Sequence, residues 1–340
     1  MKHLFCVTII SLLSNVLCSA QWVKDILANG YEQLTITHDK EKDSPVSTII
    51  RKNMVNNTLK TGVLYIHGYN DYFFQSEMGE RFIENNIAFY AIDLRNYGRS
   101  IRNHDIIFDT SDISEYYADI EASIQIMKDD GISNIILIGH STGGLIATRY
   151  MQVRDREEII GLILNSPFFE WNMSPLMKDI AIPVASSMSH LFPNMSFSQG
   201  NSTAYGESLH LNHHGEWLYN LDWKMMPSPK VKTRWLNAIN TAHSDVETGR
   251  KISKPILLMH SDKTIIGETW NESFQTGDAV LNVDDISRIG RTIGFSIREA
   301  TVKDGLHDLL LSRKDVRDAA YECIFKWISE ITAINLYSPQ

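Results

Sequence analysis

The stretch Leu137-Ile138-Gly139-His140-Ser141-Thr142-Gly143-Gly144 constrains this chain more than any other. Gly139 to Gly143 fits G-x-S-x-G, the β-favouring residues Ile135, Ile136 and Leu137 lead into it, and a small-residue helical stretch, Gly143 to Met151, follows. In that context the pentapeptide reads as a nucleophile elbow, a sharp strand-to-helix turn that forces its serine into strained backbone angles. The flanking glycines are needed because side chains there would collide with neighbouring backbone. The strain lifts the Ser141 hydroxyl clear of the sheet, where a histidine can take its proton. A glycine-rich turn that merely ends a strand is the plainer alternative, and the partners described below weigh against it.

Around this turn, short β-branched runs alternate with helical patterns, which implies a mostly parallel sheet covered by helices. Gln33–Thr37 and Ser47–Arg51 form an expected antiparallel opening pair. Val63–His67, Ala88–Asp93, Ile135–Ile138, Ile159–Asn165, Pro255–His260 and Ser296–Val302 complete eight expected strands. Phe74–Asn85, Ile113–Asp129 and Leu145–Val153 carry apolar residues at helical spacing, and Asp315–Ile334 reads as a closing amphipathic helix. From about Phe168 to Thr248 the rhythm breaks, and Met, Trp, Pro and His accumulate. A solvated loop of that length should not be so apolar, so the segment is expected to be a helical cap inserted after the sixth strand.

The first twenty residues differ from the rest. Lys2 starts them, Leu4 to Leu17 is mostly apolar, and Cys18-Ser19-Ala20 precedes Gln21 in the small-x-small pattern of a signal-peptidase site. The run is short for a membrane span and is interrupted by Ser14 and Asn15. The expected organisation is therefore a signal peptide at 1–20, a first core part at 21–167, the cap at 168–248 and a second core part at 249–340. The mature protein is expected to be exported, periplasmic or secreted, after cleavage near Ala20. Cleavage would leave Cys323 alone, so an internal disulfide is excluded and stability must come from the core. The formal charge of −9 becomes one unit more negative without Lys2, and an acidic chain with no basic run argues against a nucleic-acid partner. N-x-S/T sequons begin at Asn56, Asn172, Asn194, Asn201 and Asn271.

Three further segments supply what acyl transfer at Ser141 would need. His67-Gly68-Tyr69-Asn70-Asp71 follows an expected strand, and an oxyanion hole would take one backbone N–H from Tyr69 there and one from Thr142, directly after the serine. Gly305-Leu306-His307-Asp308 lies after the last strand, where a general base belongs in the order serine, acid, histidine. For the acid, Asp262 lies two residues past a strand end and Asp278 lies farther on, and either could orient His307. Asp278-Ala279-Val280-Leu281 steps through apolar residues into a helical pattern, whereas Asp262 opens an apparent insertion of about fifteen residues beside Lys263. That contrast favours Asp278. His210, His213 and His214 have spacing that could hold a metal, but the tryptophan and leucine around them suit ordinary cap surface better. No CxxC pair, Walker loop, G-x-G-x-x-G or H-E-x-x-H occurs.

Together with Asp93-Leu94-Arg95-Asn96-Tyr97-Gly98-Arg99-Ser100, these segments resemble the α/β-hydrolase family over roughly residues 60–330. The resemblance is to its serine aminopeptidase-like branch, which includes monoglyceride lipases and lysophospholipases. It implies an α/β-hydrolase fold and a Ser–His–Asp hydrolase that uses no cofactor. His260-Ser261-Asp262-Lys263-Thr264 departs from the branch, which usually reads H-G-x-x-D, so Thr264 stands where the aspartate is expected. The expected substrate is a small-molecule ester or lipid, with transient membrane-surface contact through the cap. A peptidase that releases N-terminal residues is the alternative, with Glu170, Asp179, Glu207, Glu216 and Asp222 of the cap as candidate holders of a substrate ammonium. A non-catalytic binding protein that retains the fold is the third reading.

Overall fold

A computed structural model describes residues 21–39, 44–53 and 58–337. The expected signal peptide and the sequon at Asn56 lie outside the described residues. In chain order the elements are β1 (Val23–Lys24), β2 (Tyr31–Thr37), β3 (Val46–Lys52), β4 (Thr61–Ile66), α1 (Ser76–Glu84), β5 (Ala88–Asp93), α2 (Tyr117–Asp129), β6 (Asn134–His140), α3 (Thr142–Val153) and β7 (Ile159–Asn165). They continue through α4 (Ile182–Ser187), β8 (Ser196–Phe197), α5 (Ala204–Leu209), β9 (Val231–Lys232), α6 (Thr233–Thr248), β10 (Ile256–Ser261), α7 (Val283–Gly290), β11 (Ile297–Val302) and α8 (Lys314–Tyr337).

The main sheet runs β1-β2-β3-β5-β4-β6-β7-β10-β11, antiparallel from β1 through the β3–β5 pair and parallel from β5 to β11. The eight expected strands are all present, and the two-residue β1 adds a ninth at the edge. A pair of residues is too short to show alternation, which is why it has no sequence signature. Strands β4, β5, β6, β7 and β10 are buried on both faces, so their apolar runs are nearly continuous. One core layer contains Leu64, Ile92, Leu137, Leu145, Tyr150 and Leu258, and the other contains Val63, Phe89, Ile138, Tyr321 and Trp327.

Between β7 and β10 the chain leaves the main sheet. It forms a π-helical turn at Met177–Ala181 that runs into α4, then α5 and α6, with the short antiparallel pair β8–β9 among them. Helix α6 buries Trp235, Leu236, Ile239, Ala242 and Val246 and packs against both α4 and α3, so it joins this segment to the helices that cover the sheet. Among the described residues no helix is long and apolar enough to cross a membrane.

Two buried devices fix the loops at the carboxyl ends of the strands. His67 Nδ1 faces Gly68 O at 2.8 Å, and Leu94 N–H donates to His67 Nε2 at 3.1 Å, which ties the end of β4 to the end of β5. Burial lowers the His67 pKa, consistent with a neutral ring that donates at Nδ1 and accepts at Nε2. Arg99 is buried with Asp25 and Asp93: Nε and Nη2 reach Asp25 at 2.6 and 2.8 Å, and Nη1 reaches Asp93 Oδ2 at 2.8 Å. Asp93 Oδ1 accepts Phe73 N–H at 2.9 Å and Arg99 Nη1 donates to Phe73 O at 2.9 Å. The motif that starts at Asp93 therefore anchors the chain just after Tyr69.

Candidate active site

Ser141 sits between β6 and α3 with φ 51° and ψ −118°, backbone angles that cost a non-glycine residue energy and persist only where the surroundings enforce them. The enforcement is visible in the glycines. A Cβ on Gly143 would stand 2.2 Å from Ile66 O and 2.4 Å from His67 O, and one on Gly139 would stand 2.6 Å from Gly143 O. Ser141 N donates to Asn165 O at 3.1 Å, and Ser141 O accepts from Gly144, Leu145 and Phe168 N–H. Thr142 begins α3, so its N–H belongs to the first turn, where intrahelical acceptors are missing. At Gly68 a Cβ would lie 3.0 Å from Ser141 Cβ, so the residue is small to let the loop after β4 approach the serine. The left-handed bend in that loop is made by Asn70, at φ 50°.

His307 and Asp278 meet. His307 Nδ1 lies 2.9 Å from Asp278 Oδ2, and the two side chains are 4% and 0% exposed. The other carboxylate oxygen, Oδ1, accepts Val280 N–H and Leu281 N–H, both at 2.8 Å. Thr264 and Asp278 pair as an isolated bridge: Ile265 N donates to Asp278 O at 2.7 Å and Asp278 N to Lys263 O at 2.9 Å. The chain leaves the core at Lys263 and closes on itself at Asp278, which brings Asp278 beside Thr264. Asp262 is exposed, and its Oδ1 accepts Asp304 N–H at 2.8 Å. Lys263 pairs with Asp304 at 2.7 Å.

Ser141, His307, Tyr69 and Thr142 line one cavity of about 250 Å³, together with Phe168, Trp171, Met225 and Trp235 from the segment between β7 and β10. Its walls also include residues that no sequence motif marked. Tyr205 of α5 packs edge-on against the His307 ring at 5.8 Å, and its hydroxyl accepts Asp308 N–H at 3.2 Å. Asn165 Nδ2 donates to Asp308 Oδ1 at 2.7 Å while Asn165 Oδ1 accepts Leu309 N–H at 3.1 Å, so the end of β7 fixes the turn that carries His307. The His140 ring lies 4.8 Å from that of His307. Burial, with His307 beside it, holds the His140 pKa well below the usual range, and burial raises that of Asp308.

Among the described residues, Asp71, His140 and Asp308 are the three metal-capable side chains whose ligand atoms come within 4.8 Å of one another. Lys224 Nζ already sits 2.9 Å from Asp71 Oδ1 and supplies a positive charge there. Of the three cap histidines, His210 and His213 have rings 6.1 Å apart, and His214 faces Trp270 instead. Helix α5 ends at Leu209, His210 packs buried on Tyr219 at 4.8 Å, and His214 stacks on Trp270 at 3.4 Å.

A family model described as serine aminopeptidase, S33 matches residues 58–270. The chain belongs to that family. The AB hydrolase superfamily protein YisY of Bacillus subtilis (strain 168) is 32% identical over 106 residues. That match spans 31% of this chain and 37% of the relative, little more than a third of the latter's length. Among solved structures, a highly thermostable carboxyl esterase from Bacillus coagulans, in complex with glycerol, superposes with a TM-score of 0.64 at 14% identity, covering 89% of this chain and 99% of that one. A soluble variant of monoglyceride lipase from Saccharomyces cerevisiae, bound to a substrate analogue, superposes with a TM-score of 0.60 at 15% identity, covering 87% and 96%. At such identities the likeness is one of fold, and the fold is that of the α/β hydrolases.

Proposed function

We propose that this protein is a serine hydrolase that cleaves carboxylic esters, in particular single-chain acyl esters such as monoacylglycerols or lysophospholipids. The observation that carries the reading is the buried Asp278–His307 pair, 2.9 Å apart and opening on the same cavity as the strained Ser141. His307 takes the Ser141 proton as the hydroxyl attacks the ester carbonyl, and Asp278 holds the ring in the tautomer that leaves Nε2 free to accept. The tetrahedral oxyanion is met by the N–H groups of Tyr69 and Thr142. Its collapse expels the alcohol, protonated by His307, and leaves an acyl-enzyme that water hydrolyses by the same steps in reverse.

The lining supports an ester over a peptide. Glu170, Asp179, Glu207, Glu216 and Asp222 do not line the cavity; Glu216 meets Arg317, and Glu207 meets Thr203. The acidic lining residue is Asp71, which Lys224 neutralises, so no free carboxylate awaits a substrate ammonium among the described lining residues. The aromatic and methionine surfaces suit an acyl chain. A cavity of about 250 Å³ is just under the roughly 300–1,000 Å³ of drug-sized ligand sites, which favours one chain over two or three.

Leu176, Ile180 and Val184 stand exposed four residues apart, with Leu191 and Phe192 also exposed, an apolar surface that supports transient contact with a lipid surface. Export after cleavage near Ala20 belongs to the same proposal. The test is a substrate panel: nitrophenyl esters of mid-length acids should turn over faster than aminoacyl-naphthylamides, and the reverse order would make the protein a peptidase.

A further inference from the structure

The oxyanion loop does not stand alone. Four consecutive residues of the loop after β4 are each gripped by the segment between β7 and β10. The Tyr69 ring packs on Trp235 with centroids 4.6 Å apart. The Asn70 amide reads both backbone groups of Met225: Nδ2 donates to Met225 O at 2.9 Å, and Met225 N donates to Oδ1 at 2.7 Å. Asp71 Oδ1 accepts from Lys224 Nζ at 2.9 Å, with the two side chains 2% and 10% exposed. The Tyr72 hydroxyl accepts Asn220 N–H at 2.8 Å, and its ring meets Trp223 edge-on at 5.2 Å. Asn220 to Met225 thus forms a strap along residues 70–72.

We propose that this strap is a positioning element of the oxyanion hole, with Lys224 and Asn70 as its two positioning residues. The inference rests on the serine-hydrolase reading above. The loop is delivered to the serine by Gly68, whose absent side chain lets the backbone lie against Ser141, and the next N–H along is the proposed donor of Tyr69. A donor of this kind acts only where the oxyanion forms, so a displacement of its backbone by a fraction of an ångström is paid in rate and not in binding. The Asn70 amide fixes the loop in a backbone conformation that most side chains avoid. Lys224 matters through charge: Asp71 is buried, its Oδ2 has no hydrogen-bond partner, and Asp308 lies in the same cluster. Without the ammonium, the Asp71 carboxylate is left buried and unpaired, and it can regain water only by moving the loop.

The experiment compares Lys224→Met, Lys224→Arg and Asn70→Gly with Ser141→Ala and Lys232→Met on the full chain. Glycine at position 70 accepts the left-handed angle and removes only the amide. Lys232 makes another ion pair between this segment and the core, with Asp109 at 3.0 Å, and Arg234 still pairs with Asp109 when Lys232 is removed. The readouts are kcat and KM on a short soluble nitrophenyl ester, the rate of fluorophosphonate labelling, and Tm. Lys224→Met and Asn70→Gly should each lose about 10- to 100-fold in kcat and in labelling rate with KM within about twofold. Lys224→Arg should recover most of the loss, and Lys232→Met should behave as the wild type. A rise in KM at unchanged kcat, or losses no greater than those of Lys232→Met, would overturn the proposal. If Lys224→Met does not unfold cooperatively, Asn70→Gly carries the test, since it leaves no charge unpaired. Full activity of Ser141→Ala would overturn the hydrolase reading itself, whereas an inactive Ser141→Ala beside a fully active Asn70→Gly would remove the strap's role alone.

Discussion

Replacing Asp278 by asparagine tests the acid most sharply, because the surroundings dictate how an asparagine must sit. Oδ1 of Asp278 accepts two N–H groups, from Val280 and Leu281, each at 2.8 Å. An amide at this position keeps those bonds only if its oxygen faces them, which turns its NH₂ toward His307 Nδ1. That ring nitrogen must then accept, so the imidazole is switched to the tautomer with its proton on Nε2, and it can no longer take a proton from Ser141. The opposite amide orientation would aim two donors at two donors and give up two buried hydrogen bonds at about 1 kcal/mol or more apiece. The tautomer trap therefore holds. The expected loss in kcat is ~10⁴, equivalent to about 5 kcal/mol of transition-state stabilisation. Stability should change little, because the substitution is isosteric and the two backbone bonds survive. Asp262→Asn should stay within about twofold of the wild type, since its single bond, from Asp304 N–H, is one an amide oxygen also accepts. Both variants would be assayed for kcat on a nitrophenyl ester and for Tm. A fully folded Asp278→Asn within tenfold of the wild type, or a larger loss in Asp262→Asn, would remove Asp278 from the role of acid.

Two other consequences concern stability. Gly143→Ala should unfold at a markedly lower Tm and lose activity with it, because the added methyl would meet the backbone oxygens of Ile66 and His67, which have no flexible end to move aside; a normal Tm would contradict that close approach. His243 is buried against Phe168 and Trp171, and burial lowers its pKa to about 3, far below that of the unfolded chain. Between about pH 6.5 and 3 the unfolded state binds the proton and the folded state does not, so this group's stabilisation is complete above that window and is lost as pH falls through it. Acidification from pH 6.5 to 4.5 should cost about 2 to 3 kcal/mol through this residue. Urea midpoints for His243→Gln, which keeps a donor for Phe168 O, should fall less steeply with pH than those of the wild type, and equal slopes would contradict the assignment.

Strands β4, β5, β6, β7 and β10 could be read in the sequence because a strand buried on both faces must be apolar throughout, β2, β3 and β11 from their β-branched runs alone, and the elbow because only glycine fits beside Ser141. The place of Asp278 could be read for a similar reason: a helix pattern resumes right after it, and the bridge to Thr264 is the geometric form of that resumption. The strap could not be read. Asn70 and Met225 lie 155 residues apart, and nothing in Asn220–Met225 distinguishes a backbone that will meet an amide from any other polar loop. Tyr205 and Asn165 stayed hidden likewise, since buried polar residues that orient a neighbour have no periodicity of their own. The histidines at 210, 213 and 214, read as ordinary cap surface, follow the end of α5 at Leu209, so their spacing does not place them on one helix face.

The proposed chemistry turns on Ser141 as nucleophile, and fluorophosphonate labelling followed by peptide mapping measures that directly. One phosphonylated residue, Ser141, is expected in the folded wild-type chain. Ser141→Ala should take no label, and its kcat on esters should fall by at least ~10³. A folded protein that takes no label, or one labelled elsewhere while Ser141 stays unmodified, would contradict the proposed chemistry.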